Sequence, residues 1–200
     1  MYELLPLIPV TVVAAVSLFA LRESLEWLRR YRGEERKKQA LRILLARECE
    51  LNYWTIKSIR HIVETIREES AANPQTTFSF IFPKSGKTLF RVKEPGMEIT
   101  VGSSLGNIHR DVMSKNLLDV AQLDKRLFEV LQPAYDAVSD LENVRSDLLY
   151  YVTSEDDQEA DLLMEFVENF AISELERIHA VFNALYLECC GNALTKSRIR

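Results

Sequence analysis

The chain is poor in the residues that punctuate or staple small folds: six glycines, six prolines and three cysteines in 200 residues. So little glycine and proline excludes long flexible linkers and repeated tight turns. Cys49, Cys189 and Cys190 form no CxxC pair and no even framework, which argues against a disulfide scaffold and suits a reducing compartment. Only three histidines are present, His61, His109 and His179, and no two stand at zinc-ligand spacing. No Gly-x-Ser-x-Gly elbow occurs either. These absences argue against an enzyme and imply no cofactor, no metal and no evident small-molecule substrate.

Charge is unevenly placed. The net charge is −5, yet the stretch from Arg22 to Arg47 holds nine Lys/Arg against four Asp/Glu. From Glu48 onward the chain carries −9. An acidic body argues against nucleic-acid binding, because neutralising phosphates needs a basic face.

What the sequence does have is one long uncharged run, Leu4 to Leu21. Its apolar side chains are Leu4, Leu5, Leu7, Ile8, Val10, Val12, Val13, Val16, Leu18, Phe19 and Leu21. As a helix it would extend about 27 Å, near the low end for a bilayer crossing. Residues 1–33 are therefore expected to form a single-pass membrane anchor with a basic juxtamembrane segment. Trp27, Arg29, Arg30, Tyr31 and Arg32 are expected at the membrane interface. The run Arg29–Lys38 would also suit anionic lipid. A cleaved signal peptide would need positive charge before the run, whereas here the charge follows it; a buried core helix is the other rival. The positive flank predicts an outside N-terminus, a cytoplasmic C-terminal domain and residence in the cell membrane. Small residues Thr11, Ala14, Ala15, Ser17 and Ala20 offer weak support for packing between anchors.

The expected fold is mainly α. After the transmembrane helix comes an elongated antiparallel bundle of three long helices spanning 34–200, with a three-stranded antiparallel meander at about 76–101 between the first two. A long helix over 34–70 carries apolar residues at steps of three and four, including Leu41, Leu45, Ile56, Ile59, Val63 and Ile66, and Asn73-Pro74 ends it. The period then becomes two: Phe78, Phe80, Phe82; Phe90, Val92; Met97, Ile99, Val101. The second long helix is expected from Ser103 or Ser104 as cap. Its heptad runs Val120, Leu123, Leu127, Val130, Ala134, Ala137, Leu141, Val144, Leu148, Tyr151, with Pro133 expected to kink or break it. Val120, Leu123, Leu127, Val130, Leu141, Val144 and Leu148 are the candidate interface, through which a protein partner or a second copy would bind. Ser154 is the expected cap of the last helix, with Glu155, Asp156 and Asp157 in its first turn, and Gly191-Asn192 its stop.

Four features carry possible chemistry. Pro-Lys-Ser-Gly-Lys-Thr at 83–88 looks like the end of a phosphate-binding loop, but Ile81 replaces the required first glycine and another strand follows, so a hairpin turn is expected. Glu176 and His179 form one Glu-x-x-His; a di-iron bundle needs two. His61 and His109 have no nucleophile or carboxylate at informative spacing. Cys189-Cys190 suits buried thiols better than acylation.

Function reads first as an interaction or self-assembly protein held at the membrane, with a protein partner or homo-oligomer implied. The alternative is a small membrane-acting effector of a bacterial defence or toxin system. An enzyme with an unrecognised site, tested first at Glu176 and His179, is third.

Overall fold

The computed structural model describes residues 10–84, 86–96, 100–154 and 157–195. The chain divides into two compact units, Met1–Ala40 and Leu41–Arg200. Helix α1 (Val10–Ala72) begins in the first and continues into the second.

The first unit corrects the membrane reading. Among the described residues, no helix is long and apolar enough to cross a membrane. The physical reason lies in the charges. The described uncharged run, Val10 to Leu21, is followed at once by Arg22, Glu23 and Glu26. Twelve residues cover about 18 Å of a hydrocarbon core about 30 Å thick. Leu4, Leu5, Leu7 and Ile8 lie outside the described residues. The single-pass topology, the outside N-terminus and the cell-membrane location therefore lose their basis. So do the interfacial roles given to Trp27, Arg29, Arg30, Tyr31 and Arg32. Glu26 pairs instead with Arg22 and Arg30, at 3.1 and 4.0 Å, as i, i+4 partners on a helix.

In the second unit, α1 contributes an apolar stripe of Leu41, Leu45, Cys49, Ile56, Ile59, Ile62, Val63 and Ile66 to the core. Steps of three and four keep it on one face. Strands β1 (Thr77–Ile81), β2 (Thr88–Lys93) and β3 (Thr100–Leu105) form an antiparallel sheet in the order β1-β2-β3. Phe80, Phe90, Val92 and Leu105 point into the core, while Phe82 lies past the end of β1 and is exposed. A bulge in β3 sets two residues against Phe90: Leu89 faces Ser104, and Arg91 faces Val101. Gly102 sits in that bulge because a Cβ there would stand 3.1 Å from the Phe90 ring. Strand β3 is described from Thr100 onward, and Met97 and Ile99 lie outside the described residues.

Helices α2 (Asp111–Leu123) and α3 (Lys125–Thr153) replace the single helix expected from Ser103. Ser103 and Ser104 belong to β3 and cap nothing. Asp124 breaks the helix. Its backbone is extended (φ −150°, ψ 92°), and its carboxylate accepts the N–H of Leu127 at 3.1 Å as the α3 cap. Pro133 does not break α3. Both Pro133 and Glu129, whose carbonyl loses its helical donor, are exposed, so water can serve that oxygen.

Ser154 has an extended backbone and terminates α3; Glu155 and Asp156 lie outside the described residues. Helix α4 (Asp157–Glu165), a π-helical segment (Phe166–Ala171) and α5 (Ile172–Cys190) follow without interruption. The wider turn buries Phe166, Val167 and Ala171. Helix α5 stops at Gly191 (φ 72°), whose N–H donates to Leu187 O at 2.7 Å. The chain is thus mainly helical with a small antiparallel sheet, and among the described residues no helix is long and apolar enough to cross a membrane.

Candidate functional site

The most elaborate polar construction lies where α1 meets the segment from β3 to α2. Glu48, Asn52 and Thr55 are buried inside the apolar stripe of α1, and Ser58 continues their line one turn on. Steps of four and three place all four on one face. Each engages backbone. Ser58 Oγ donates to Ser104 O and accepts the Gly106 N–H at 3.3 Å. Thr55 Oγ1 donates to Asn107 O at 2.6 Å. Asn52 closes a two-bond ring with His109, donating to its carbonyl at 2.6 Å and accepting its N–H at 2.8 Å. Glu48 accepts the N–H groups of Val112 and Met113 at 2.8 and 2.7 Å. Those are orphan donors in the first turn of α2, so a carboxylate from α1 does the work of a local cap.

The same loop is tied from α3. Arg145 Nε donates to Gly106 O at 3.1 Å, and burial lowers the Arg145 pKa. Arg110 pairs with Glu142 at 3.2 Å. Gly106 admits this close approach, since a Cβ there would stand 2.8 Å from Thr55 Oγ1 and 3.0 Å from Thr55 Cα.

Two open grooves flank the clamped loop. One, of about 430 Å³, is lined by α1 residues including Trp54, Lys57 and His61, by Ser103 and Ser104, and by loop residues including His109. The other, of about 620 Å³, lies between the loop and Glu142, Arg145 and Ser146. His61 and His109, uninformative in sequence, thus line one groove. No periodicity signals this, because the loop brings them together across 48 positions.

The other sequence candidates are dispersed. Glu176 stands 3.8 Å from Arg60, and His179 stacks on Tyr53 at 5.0 Å between ring centroids, with its Nε2 buried and without a hydrogen-bond partner among the described residues. No group of three or more His, Cys, Asp or Glu able to hold a metal occurs among the described residues. Residues 83–88 join antiparallel neighbours β1 and β2, with Gly86 (φ 76°) donating to Pro83 O at 3.0 Å, so the turn opens a strand and not a helix. Cys49 is buried and its thiol is pushed up by desolvation; desolvation likewise raises Cys189 to about 12, and Cys190 is exposed.

Of the candidate interface, Val120, Leu127, Leu141, Val144 and Leu148 are buried in the chain's own core, and Leu123 and Val130 pack against it. These side chains are already covered. The uncovered apolar side chains are concentrated in the first unit: Val12, Val13, Val16, Leu18, Phe19, Leu21, Leu25, Trp27 and Tyr31 are all exposed. Fold and sites together define a helical-bundle protein with a small meander and a clamped loop. No family model, curated protein or solved structure matches the chain.

Proposed function

We propose that the protein acts by self-association through the helix of its first unit. The observation that carries this is exposure: Leu18 is 67% exposed, Phe19 65% and Leu21 59%. A run of large uncovered side chains on one helix is the usual mark of an interaction surface. Leu18, Leu21, Leu25 and Leu28 stand at steps of three, four and three, the spacing of a two-stranded seam. A second copy of the chain supplies the same seam and is the simplest complement to it. Positions flanking the seam include Arg22 and Arg29; antiparallel pairing would oppose them to their own copies, so parallel pairing fits better.

Sedimentation equilibrium of the full chain, with crosslinking as the second readout, tests the reading. Wild type is expected to form a concentration-dependent dimer or small oligomer. Leu21→Glu with Leu25→Glu is expected to sediment as monomer with an unchanged circular-dichroism spectrum. A wild-type chain that is monomeric up to the highest soluble concentration would overturn the proposal.

A further inference from the structure

Eleven of the described residues line the smaller groove beside the clamp, and none of these is acidic. Three of them, Lys57, His61 and His109, are basic. In a chain of net charge −5, counted with histidine neutral, the one formal charge on this lining is the positive charge of Lys57. The surrounding arginines do not add to it, because each is matched: Arg47 with Glu50, Arg60 with Glu176 and Arg110 with Glu142. The positive character is therefore confined to the groove, which suits a small anion better than an extended polyanion.

An aromatic wall adjoins the charge. Trp54 is 42% exposed, and the Lys57 ammonium lies 5.1 Å from its ring and 4.6 Å from the Tyr53 ring. Those contacts hold the cation along the indole instead of leaving it to swing in solvent. Ser103 and Ser104 supply hydroxyls, and Ser103 Oγ is shut from solvent without a partner among the described residues. The opposite wall is rigid, since the loop is fixed by Asn52, Thr55, Ser58 and Arg145. A volume of about 430 Å³ lies within the ordinary range for small-ligand sites.

We propose that this groove binds a nucleoside monophosphate or an equivalent phosphorylated planar ring. The ring stacks on Trp54, and the phosphate lies among Lys57, His61 and His109. A lysine point charge with neighbouring donors is a common phosphate arrangement, and an exposed indole offers a face to any base. The proposal is independent of self-association.

The test uses the full chain carrying Trp27→Phe, which leaves Trp54 as the sole tryptophan. The chain is titrated with AMP, GMP, CMP and UMP, and with adenosine, ribose 5-phosphate and inorganic phosphate as partial ligands. Equilibrium dialysis of the wild-type chain with labelled nucleotide is the second measurement. Saturable quenching of Trp54 is expected with at least one nucleotide, about tenfold or more tighter than with either of its halves. Lys57→Gln and His61→Gln, both exposed positions, should each weaken it about tenfold without altering the circular dichroism. Absence of saturable binding of all four nucleotides in dialysis would overturn the proposal. Equal affinity for inorganic phosphate, or full affinity in both variants, would do the same.

Discussion

Glu48 offers the sharpest test of the clamp. The side chain is 3% exposed and accepts two backbone N–H groups at 2.8 and 2.7 Å. Glu48→Met keeps the stem and removes both oxygens. Hydrogen bonds to a charged group contribute about 1.5–3 kcal/mol each, and two are lost here. Burying a thioether in place of a carboxylate returns about 1–2 kcal/mol. The balance is a loss of about 1–5 kcal/mol, a large part of the roughly 5–15 kcal/mol typical of a domain. Glu48→Gln retains one acceptor but loses the charge at the positive end of α2, and should cost about 1–2 kcal/mol.

Urea unfolding followed by far-ultraviolet circular dichroism gives the global number, with the slope expected to be unchanged. Amide hydrogen exchange gives the local one. Val112 and Met113 should lose protection in Glu48→Met by more than amides in the middle of α3. Wild-type stability in Glu48→Met would refute the capping role. So would a loss of stability with no preferential exposure of those two amides, since the cost would then come from packing elsewhere.

Gly106→Ala should cost about 1–3 kcal/mol in urea unfolding, because the added methyl meets the Thr55 backbone and not only its flexible hydroxyl; Gly33→Ala, with nothing within 4 Å, should be neutral or stabilising by about 0.5–1 kcal/mol. Iodoacetamide followed by mass spectrometry should label Cys190 first, Cys189 more slowly and Cys49 only on unfolding, with rates rising as pH rises, since desolvation raises all three thiols and leaves little thiolate at neutral pH; modification of Cys49 in the folded chain at the Cys190 rate would refute that order.

Much of the architecture is legible in periodicity. The α1 stripe and the alternation of Phe78, Phe80, Phe90 and Val92 announce a long helix and a meander. The break at Asp124 is hidden for an instructive reason. Val120, Leu123 and Leu127 keep steps of three and four across it, and one extended residue leaves the heptad unbroken. The same pattern could not say whether the stripe is core or interface, because both demand the same spacing; it is core. The anchor expectation took in the whole run Leu4–Leu21, whereas its described part, Val10–Leu21, meets Arg22, Glu23 and Glu26 too soon for a crossing. The groove was invisible, since His61 and His109 meet only after the loop folds back on α1.

The polar line on α1 shows how the fold selects one arrangement. Glu48, Asn52 and Thr55 interrupt an apolar stripe with side chains that satisfy backbone groups of the facing loop. An apolar stripe would hold the loop in any of several registers, since burial is non-directional. Here, all-apolar packing would leave several backbone groups between Ser104 and Met113 without their α1 partners, while a slip of one residue would misalign the Asn52 ring with His109 and the Glu48 cap together. The buried polar groups therefore specify register as well as adding stability. If so, Asn52→Leu should retain much of the stability of the fold yet broaden the loop resonances of residues 106–110 in NMR spectra. Sharp, unshifted resonances in that variant would show that the register is set elsewhere.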